Sequence, residues 1–250
     1  MTVAVVVPCF DEAHRLDVDA FVELSERVDR ILFVDDGSTD ATRAVVEQMV
    51  ALDPARLSLV VHDRNAGKGE AVRTGLLAAI DDGSTIVGYL DADLATPGSE
   101  MVRLIELAER HPELTAVIGS RVALLGHTVR RRPLRHYLGR LYATAASLAL
   151  REAVYDTQCG AKVFRVGPSL RHALADPFHD RWSFDVELLA RLLASDAGAD
   201  GEPAIRILEV PLNEWTDVGG STVHPLAGAR ALWALAGLRS RVERHRERHA

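Results

Sequence analysis

The chain has 250 residues, 48 % hydrophobic and 26 % charged, which fits one α/β domain or at most two small lobes with a core that needs no disulfide or metal staple. Twenty-nine basic residues against 36 acidic ones leave a net charge of −7, which argues against a general nucleic-acid binder, whose footprint is a basic excess. No stretch reaches the ~18 uninterrupted apolar residues of a membrane span, the N-terminus lacks the basic start of a signal peptide, and Cys9 and Cys159 suggest neither a disulfide framework nor a zinc spacing, so a cytoplasmic protein is expected.

Val3 to Val7 is a short β-branched and alanine run closed by Pro8, the pattern of a fully buried strand. A helix is predicted over Asp17 to Arg27, then a second buried strand over Ile31 to Val34. A helix capped by Thr39 or Asp40 runs through Val50. Leu57 to Val61 reads as a third strand, Asp63 to Gly69 as a loop and Glu70 to Ile80 as a helix. Ile86 to Leu90 is a fourth strand, Ser99 to Arg110 a helix and Ala116 to Gly119 a fifth strand. Strands alternating with helices at this pitch predict a mostly parallel, Rossmann-like sheet with helices on both faces. The second half differs. A long helix with a basic start is expected over Arg130 to Leu150, an antiparallel strand within Tyr155 to Arg165 and a helix over Phe184 to Ser195. A surface loop over Asp196 to Pro203, a strand over Ile205 to Val210 and a final helix over Leu226 to Arg248 follow.

In such sheets ligands bind beyond the carboxyl ends of the strands, and the polar clusters lie there. Asp91-Ala92-Asp93 closes the fourth strand. Paired carboxylates suit Mg²⁺ or Mn²⁺ carrying a diphosphate, and a solvated turn with a helix cap is as good a reading of that motif alone. Asp35 and Asp36 follow the second strand, where they suit either a base and ribose or a turn and cap before Gly37-Ser38. Pro8, Phe10 and Glu12 follow the first strand; Phe10 suits base stacking or a plain hydrophobic anchor. Arg64 to Gly69 is a small-residue loop carrying Lys68, without the spacing of a P-loop. Arg121, Arg130, Arg131, Arg132 and Arg135 form a basic cluster in an acidic chain, suited to phosphate capture or to a solvated helix start. Of the 29 basic residues only Lys68 and Lys162 are lysines.

Taken together, V-V-V-P-C-F-D-E, V-D-D-G-S-T-D, R-N-A-G-K-G and D-A-D resemble the family-2 glycosyltransferases, which have the GT-A fold. Asp156 to Arg165, Trp182 to Leu189 and Glu209 to Thr222 are similar to the dolichyl- or polyprenyl-phosphate hexosyltransferases, nearest the glucosyl-transferring branch. The resemblance implies one GT-A domain with a nucleotide-sugar half (1–120), an acceptor half (121–225) and a basic amphipathic C-terminal helix (226–250). It implies that Phe10 stacks on the base, Pro8 and Glu12 shape that pocket, and Asp35 and Asp36 hold base and ribose. Asp91, Ala92 and Asp93 then form the metal and diphosphate motif, Lys68 lies near the nucleotide, and Arg121 and Arg135 take an acceptor phosphate. Asp185 falls where relatives acting on hydroxyl acceptors keep their base. The implied partners are UDP-glucose or GDP-mannose, a polyprenyl phosphate and Mg²⁺ or Mn²⁺. The chain departs from the pattern in carrying Phe10 for the usual Tyr, Ala95 where some relatives supply a further ligand, and Ala161 for the usual Phe.

The final helix suits either packing on the core or peripheral contact with the cytoplasmic membrane face. Three other functions fit the motifs less closely. One is sugar transfer to a soluble hydroxyl with Asp185 as base, another a nucleotidyltransferase, and the third a non-catalytic nucleotide-sugar-binding module.

Overall fold

The structure is a computed structural model that describes residues 1–130, 133–181, 183–195, 205–218, 235 and 237–249, the side chains of 130, 133–141, 239, 246 and 249 excepted. The chain begins β1 (Val3–Cys9), α1 (Val18–Ser25), β2 (Arg30–Asp35), α2 (Thr42–Leu52), β3 (Leu57–Val61), α3 (Lys68–Asp81), β4 (Ile86–Leu90), α4 (Gly98–Arg110) and β5 (Ala116–Ser120). It continues β6 (Thr128–Arg130), α5 (Pro133–Leu150), β7 (Ala161–Arg165), α6 (Pro168–Ala173), α7 (Phe184–Ser195), β8 (Ile207–Pro211), β9 (Glu214–Thr216) and α8 (Leu238–His249).

Seven strands form one sheet in the order β3-β2-β1-β4-β7-β5-β8. All neighbours are parallel except β7, which runs antiparallel to both β4 and β5. Side chains alternate across a strand, and the fully buried strands serve two cores at once. Val3, Val5, Val7, Ile31 and Phe33 face Phe21 of α1, Met49 of α2 and Leu104 of α4. Ala4, Val6, Leu32 and Val34 face Leu76 of α3, Leu170 of α6 and Leu188 of α7. This is why the β1 and β2 sequences read as unbroken apolar runs. The register of β7 sets Lys162 opposite Tyr89 and Ala161 opposite Leu90.

The expected antiparallel strand is present but shorter, because the amides of Tyr155 and Asp156 donate at 2.7 Å to the Glu209 carboxylate instead of to a strand. Arg130 does not open the long helix. It ends β6, which pairs with β9 in a small two-stranded ribbon, and the helix starts at Pro133, whose ring and missing N–H suit a first turn. The loop expected over Asp196 to Pro203 lies outside the described residues, as does 226–234 of the final helix. In α8, Leu238 and Val242 pack with Tyr142, Ala146 and Val186, and buried His245 contacts Asp176 (3.1 Å) and the His172 carbonyl (2.9 Å). The described part of the C-terminal helix is therefore core-packed. Among the described residues no helix is long and apolar enough to cross a membrane.

α3 lies against the sheet through Gly75, where a β-carbon would overlap the side chains of Val6 and Val34. Gly75→Ala is expected to cost about 1–3 kcal/mol, as overpacked cores do, despite the higher helix propensity of alanine. Chemical denaturation of the two proteins checks this.

Candidate active site

The strand order reverses direction between β1 and β4, so a crevice opens beyond their carboxyl ends. It has a volume of about 180 Å³ and opens to solvent, and its walls are the end of β1 (Pro8, Phe10, Glu12), Asp36, Asn65 and Lys68 at the approach to α3, and Asp91, Ala92 and Asp93. Phe10 is 42 % exposed at the rim, so a flat ring can lie against it.

The turn after β4 is held from its own backbone and from β7. The Asp91 amide donates to the Gly160 carbonyl (2.9 Å), the Leu94 amide to the Asp91 carbonyl (3.2 Å), and the Ala95 amide to Asp93 Oδ1 (3.1 Å). A β-carbon at Gly160 would overlap the Asp91 carboxylate, so glycine at this position lets β7 enter directly beneath the acidic pair. Lys68, the first residue of α3, places Nζ 2.5 Å from Asp91 Oδ1. Burial lowers the pKa of this ammonium, but the Asp91 and Asp185 carboxylates outweigh that and raise it. Burial and the neighbouring Asp91 charge raise the pKa of Asp93.

Glu12 pairs with Arg15 Nε at 2.5 Å. Burial nonetheless pushes its carboxyl up to about 7, with help from Asp93 and Asp91 and against the pull of Arg15.

The two adjacent aspartates at the end of β2 both hold backbone. Asp36 lines the crevice, but its carboxylate lies 2.8 Å from His62 Nδ1 and accepts from the amides of Ala66 (2.8 Å) and Gly67 (2.7 Å). It builds the loop that delivers Lys68. Asp35 is buried and accepts from the Ser38 amide at 3.0 Å.

Arg121 follows β5. Its Nε and Nη2 reach the two Asp156 oxygens at 2.6 and 2.8 Å, and its guanidinium sits 5.5 Å from the centre of the Trp215 ring. Glu209 in turn orients Asp156 through the backbone. Arg135 lies in α5, and its side chain is outside the described set. Asp185, near the start of α7, is not an open base. It is 5 % exposed, accepts from Lys162 Nζ at 2.9 Å and from the Tyr89 hydroxyl, while Lys162 also donates to the Cys159 carbonyl at 2.7 Å. Lys162 and Tyr89 are themselves fully buried.

Lys162, Tyr89, Gly160 and Asp156 were not among the expected site residues. The scarcity of lysine and the resemblance of the Asp156 to Arg165 stretch were the sequence signals that touched them.

The donor set fits a hard divalent cation. Two carboxylates stand close enough for one to raise the other's pKa, and a side-chain cation already touches Asp91. Among the described residues no group of three His, Cys, Asp or Glu residues converges, so diphosphate oxygens and water would fill the remaining positions.

A parallel sheet interrupted by one antiparallel strand, with an acidic pair at the tip of the strand beside it, defines a GT-A glycosyltransferase. The family model described as Glycosyl transferase family 2 matches residues 4–170, and the chain belongs to that family. This removes the nucleotidyltransferase and the non-catalytic module from consideration. A dolichyl-phosphate beta-glucosyltransferase of Dictyostelium discoideum is 30 % identical over 90 % of this chain and 70 % of its own length. A second of that description, from Trichomonas vaginalis, is 31 % identical over 86 % of this chain. The chain spans 64 % of that relative's length. A polyprenol monophosphomannose synthase of Mycolicibacterium smegmatis is 26 % identical over 97 % of this chain and 89 % of its own. Among solved structures, glucosyl-3-phosphoglycerate synthase from Mycobacterium tuberculosis, in complex with Mn²⁺, UDP and phosphoglyceric acid, superposes with a TM-score of 0.63 at 22 % identity, covering 96 % of this chain and 78 % of that one.

The raised Glu12 pKa has a consequence for stability. A carboxyl at 4.5 in the unfolded chain and about 7 in the folded one binds more protons when folded, so its contribution is fully present below pH 4.5 and is lost as pH rises through 7. Glu12→Gln is therefore expected to flatten the fall in stability between pH 5 and pH 8 relative to the wild type, as measured by denaturant titration at each pH.

Proposed function

We propose that the protein is an inverting hexosyltransferase that moves a hexose from a nucleotide-diphosphate sugar to a polyprenyl phosphate with the help of Mg²⁺ or Mn²⁺. UDP-glucose is the first donor to test, because the relatives that span most of the chain at about 30 % identity are described as glucosyltransferases. The observation that carries the reading is the buried state of Asp185. A hydroxyl acceptor needs a general base within reach of its proton, and the residue at the expected position is enclosed by Lys162 and Tyr89. An acceptor phosphate is already an anion and needs cations to hold it in line.

Phe10 stacks on the nucleobase, and Glu12 and Pro8 bound the ribose end of the crevice. Asp91 and Asp93 hold the divalent cation, which when bound neutralises charge on the departing diphosphate. Lys68 stands at the N-terminus of α3, where its ammonium and the helix dipole both favour anionic oxygen. Arg121, stiffened by Asp156 and Trp215, and Arg135 on α5 align the acceptor phosphate. A phosphate oxygen bonds to the anomeric carbon as the bond from that carbon to the diphosphate breaks. The electron pair leaves with the nucleoside diphosphate, and configuration inverts. The 1–120 half thus serves the donor and the 121–225 half the acceptor, with the reaction facing the cytoplasm.

Incubation with Mn²⁺, UDP-glucose and a polyprenyl phosphate is expected to yield UDP and a glycolipid; a water-soluble glucoside as the only product would redirect the reading to a hydroxyl acceptor. Asp91→Ala and Asp93→Ala are each expected to abolish transfer and to weaken Mn²⁺ binding by titration calorimetry, and wild-type turnover that survives exhaustive chelation would contradict the metal assignment. Asp185→Asn is expected to cost roughly 3–5 kcal/mol of stability, the loss typical when one partner of a buried ion pair is removed. Turnover per folded molecule should fall less than about tenfold, against the roughly 10²–10⁴ that losing a general base costs.

A further inference from the structure

The loop that leads from Arg121 to β6 carries a feature the transfer reaction does not use. Leu124 is 45 % exposed and Leu125 is fully exposed. Two adjacent leucines held in water by a flexible tail would be unremarkable, but these two are held in place. The His127 amide donates to the Leu124 carbonyl at 3.1 Å, closing a tight turn. Gly126 has φ +85°, as the third position of a type II turn requires, which leaves Leu125 at the other corner. Beyond the turn, His127 Nδ1 meets the Leu212 carbonyl at 2.8 Å, the Thr128 amide donates to the Asn213 carbonyl at 2.7 Å, and β6 pairs with β9. The turn is thus anchored at its base and projects its apolar corner outward.

The sequence on either side indicates what that corner meets. Arg121 opens the loop at the acceptor end of β5. Arg130, Arg131, Arg132 and Arg135 follow within ten residues of Leu125, in a chain whose net charge is −7. Exposed leucines followed closely in sequence by clustered arginines are a composition that binds an anionic lipid surface, apolar side chains entering the interface and cations meeting the headgroups. The final helix, the other basic segment, packs one face on the core through Leu238 and Val242.

We propose that the turn Leu124–His127 is a membrane-docking tip that seats the protein on an anionic bilayer with its acceptor side toward the lipid. This deepens the polyprenyl-phosphate reading and rests on it for its purpose. It explains how a chain without a described spanning helix reaches an acceptor whose phosphate lies at a membrane surface.

The test uses the full chain and the double variant Leu124→Ser/Leu125→Ser in flotation with phosphatidylcholine vesicles, with and without phosphatidylglycerol. The expected result is wild-type binding that requires phosphatidylglycerol and falls about tenfold or more in the variant, as loss of two inserted leucines implies. Glycerol phosphate, the soluble headgroup, should not compete. Equal flotation of both proteins overturns the proposal. So does a wild-type dimer that the variant converts to monomer with vesicle binding unchanged, since the leucines would then serve a second copy of the chain. Transfer to a short-chain, water-soluble polyprenyl phosphate is expected to be equal in the two proteins. If neither protein uses that acceptor while flotation still depends on the leucines, the acceptor reading fails and the docking tip stands.

Discussion

Two carboxylates forced together at the end of β4 are the constraint around which the rest of the site is arranged. Burial first, and then the like charge of Asp91, raise the pKa of Asp93 above its ordinary range. Each neighbouring element responds to that charge. α3 starts with an ammonium on Asp91, β7 approaches through a residue with no side chain, and the end of β1 supplies a carboxyl that is itself pushed up by burial and by the pair. An anionic diphosphate would be repelled by such a pair, and hard oxygen ligands of this kind suit Mg²⁺ or Mn²⁺, which is why the proposed donor site places a divalent cation there.

Beneath the crevice floor lies a second charged group that never meets solvent. Lys162, Asp185 and the Tyr89 hydroxyl form a closed set that joins β4, β7 and α7. Burying an ion pair is costly unless its geometry is good and its remaining hydrogen bonds are met, and Lys162 has the Cys159 carbonyl as a further acceptor. The two lysines of the protein thus sit on Asp91 and Asp185. Elsewhere the chain uses arginine, whose flat fork suits the carboxylate of Asp156.

The acceptor side is built by relay. Glu209 on β8 fixes the backbone of Asp156, Asp156 grips Arg121 with both oxygens, and Trp215 on β9 covers the guanidinium. Side-chain entropy is thereby removed from Arg121, which, on the proposed reading, gives a preorganised cation for aligning a nucleophile. The same residue begins the loop that carries the exposed leucines, so on that reading one short segment sets both the phosphate position and the contact with the bilayer.

Much of this was legible in the residues themselves. Buried parallel strands announce themselves as unbroken β-branched runs, and polar clusters at their ends mark the crevice, so the sheet, the D-A-D motif and the place of Phe10 and Glu12 follow from local pattern. The resemblance of the ordered motifs extended that to the family. What local pattern did not contain is who partners whom. Nothing local shows that the fold brings His62 and the amides of Ala66 and Gly67 onto the Asp36 carboxylate. Asp185 reads as a base until the register of β7 carries Lys162 beside it. The short ribbon of β6 and β9 joins segments more than eighty residues apart, and neither strand is long enough to show a period. Sequence by itself determined which groups carry charge and roughly where along each strand they fall. Only the tertiary structure decided which of those charges remain available for a ligand, because availability depends on contacts between distant segments that hydrophobic packing, and not local pattern, brings together.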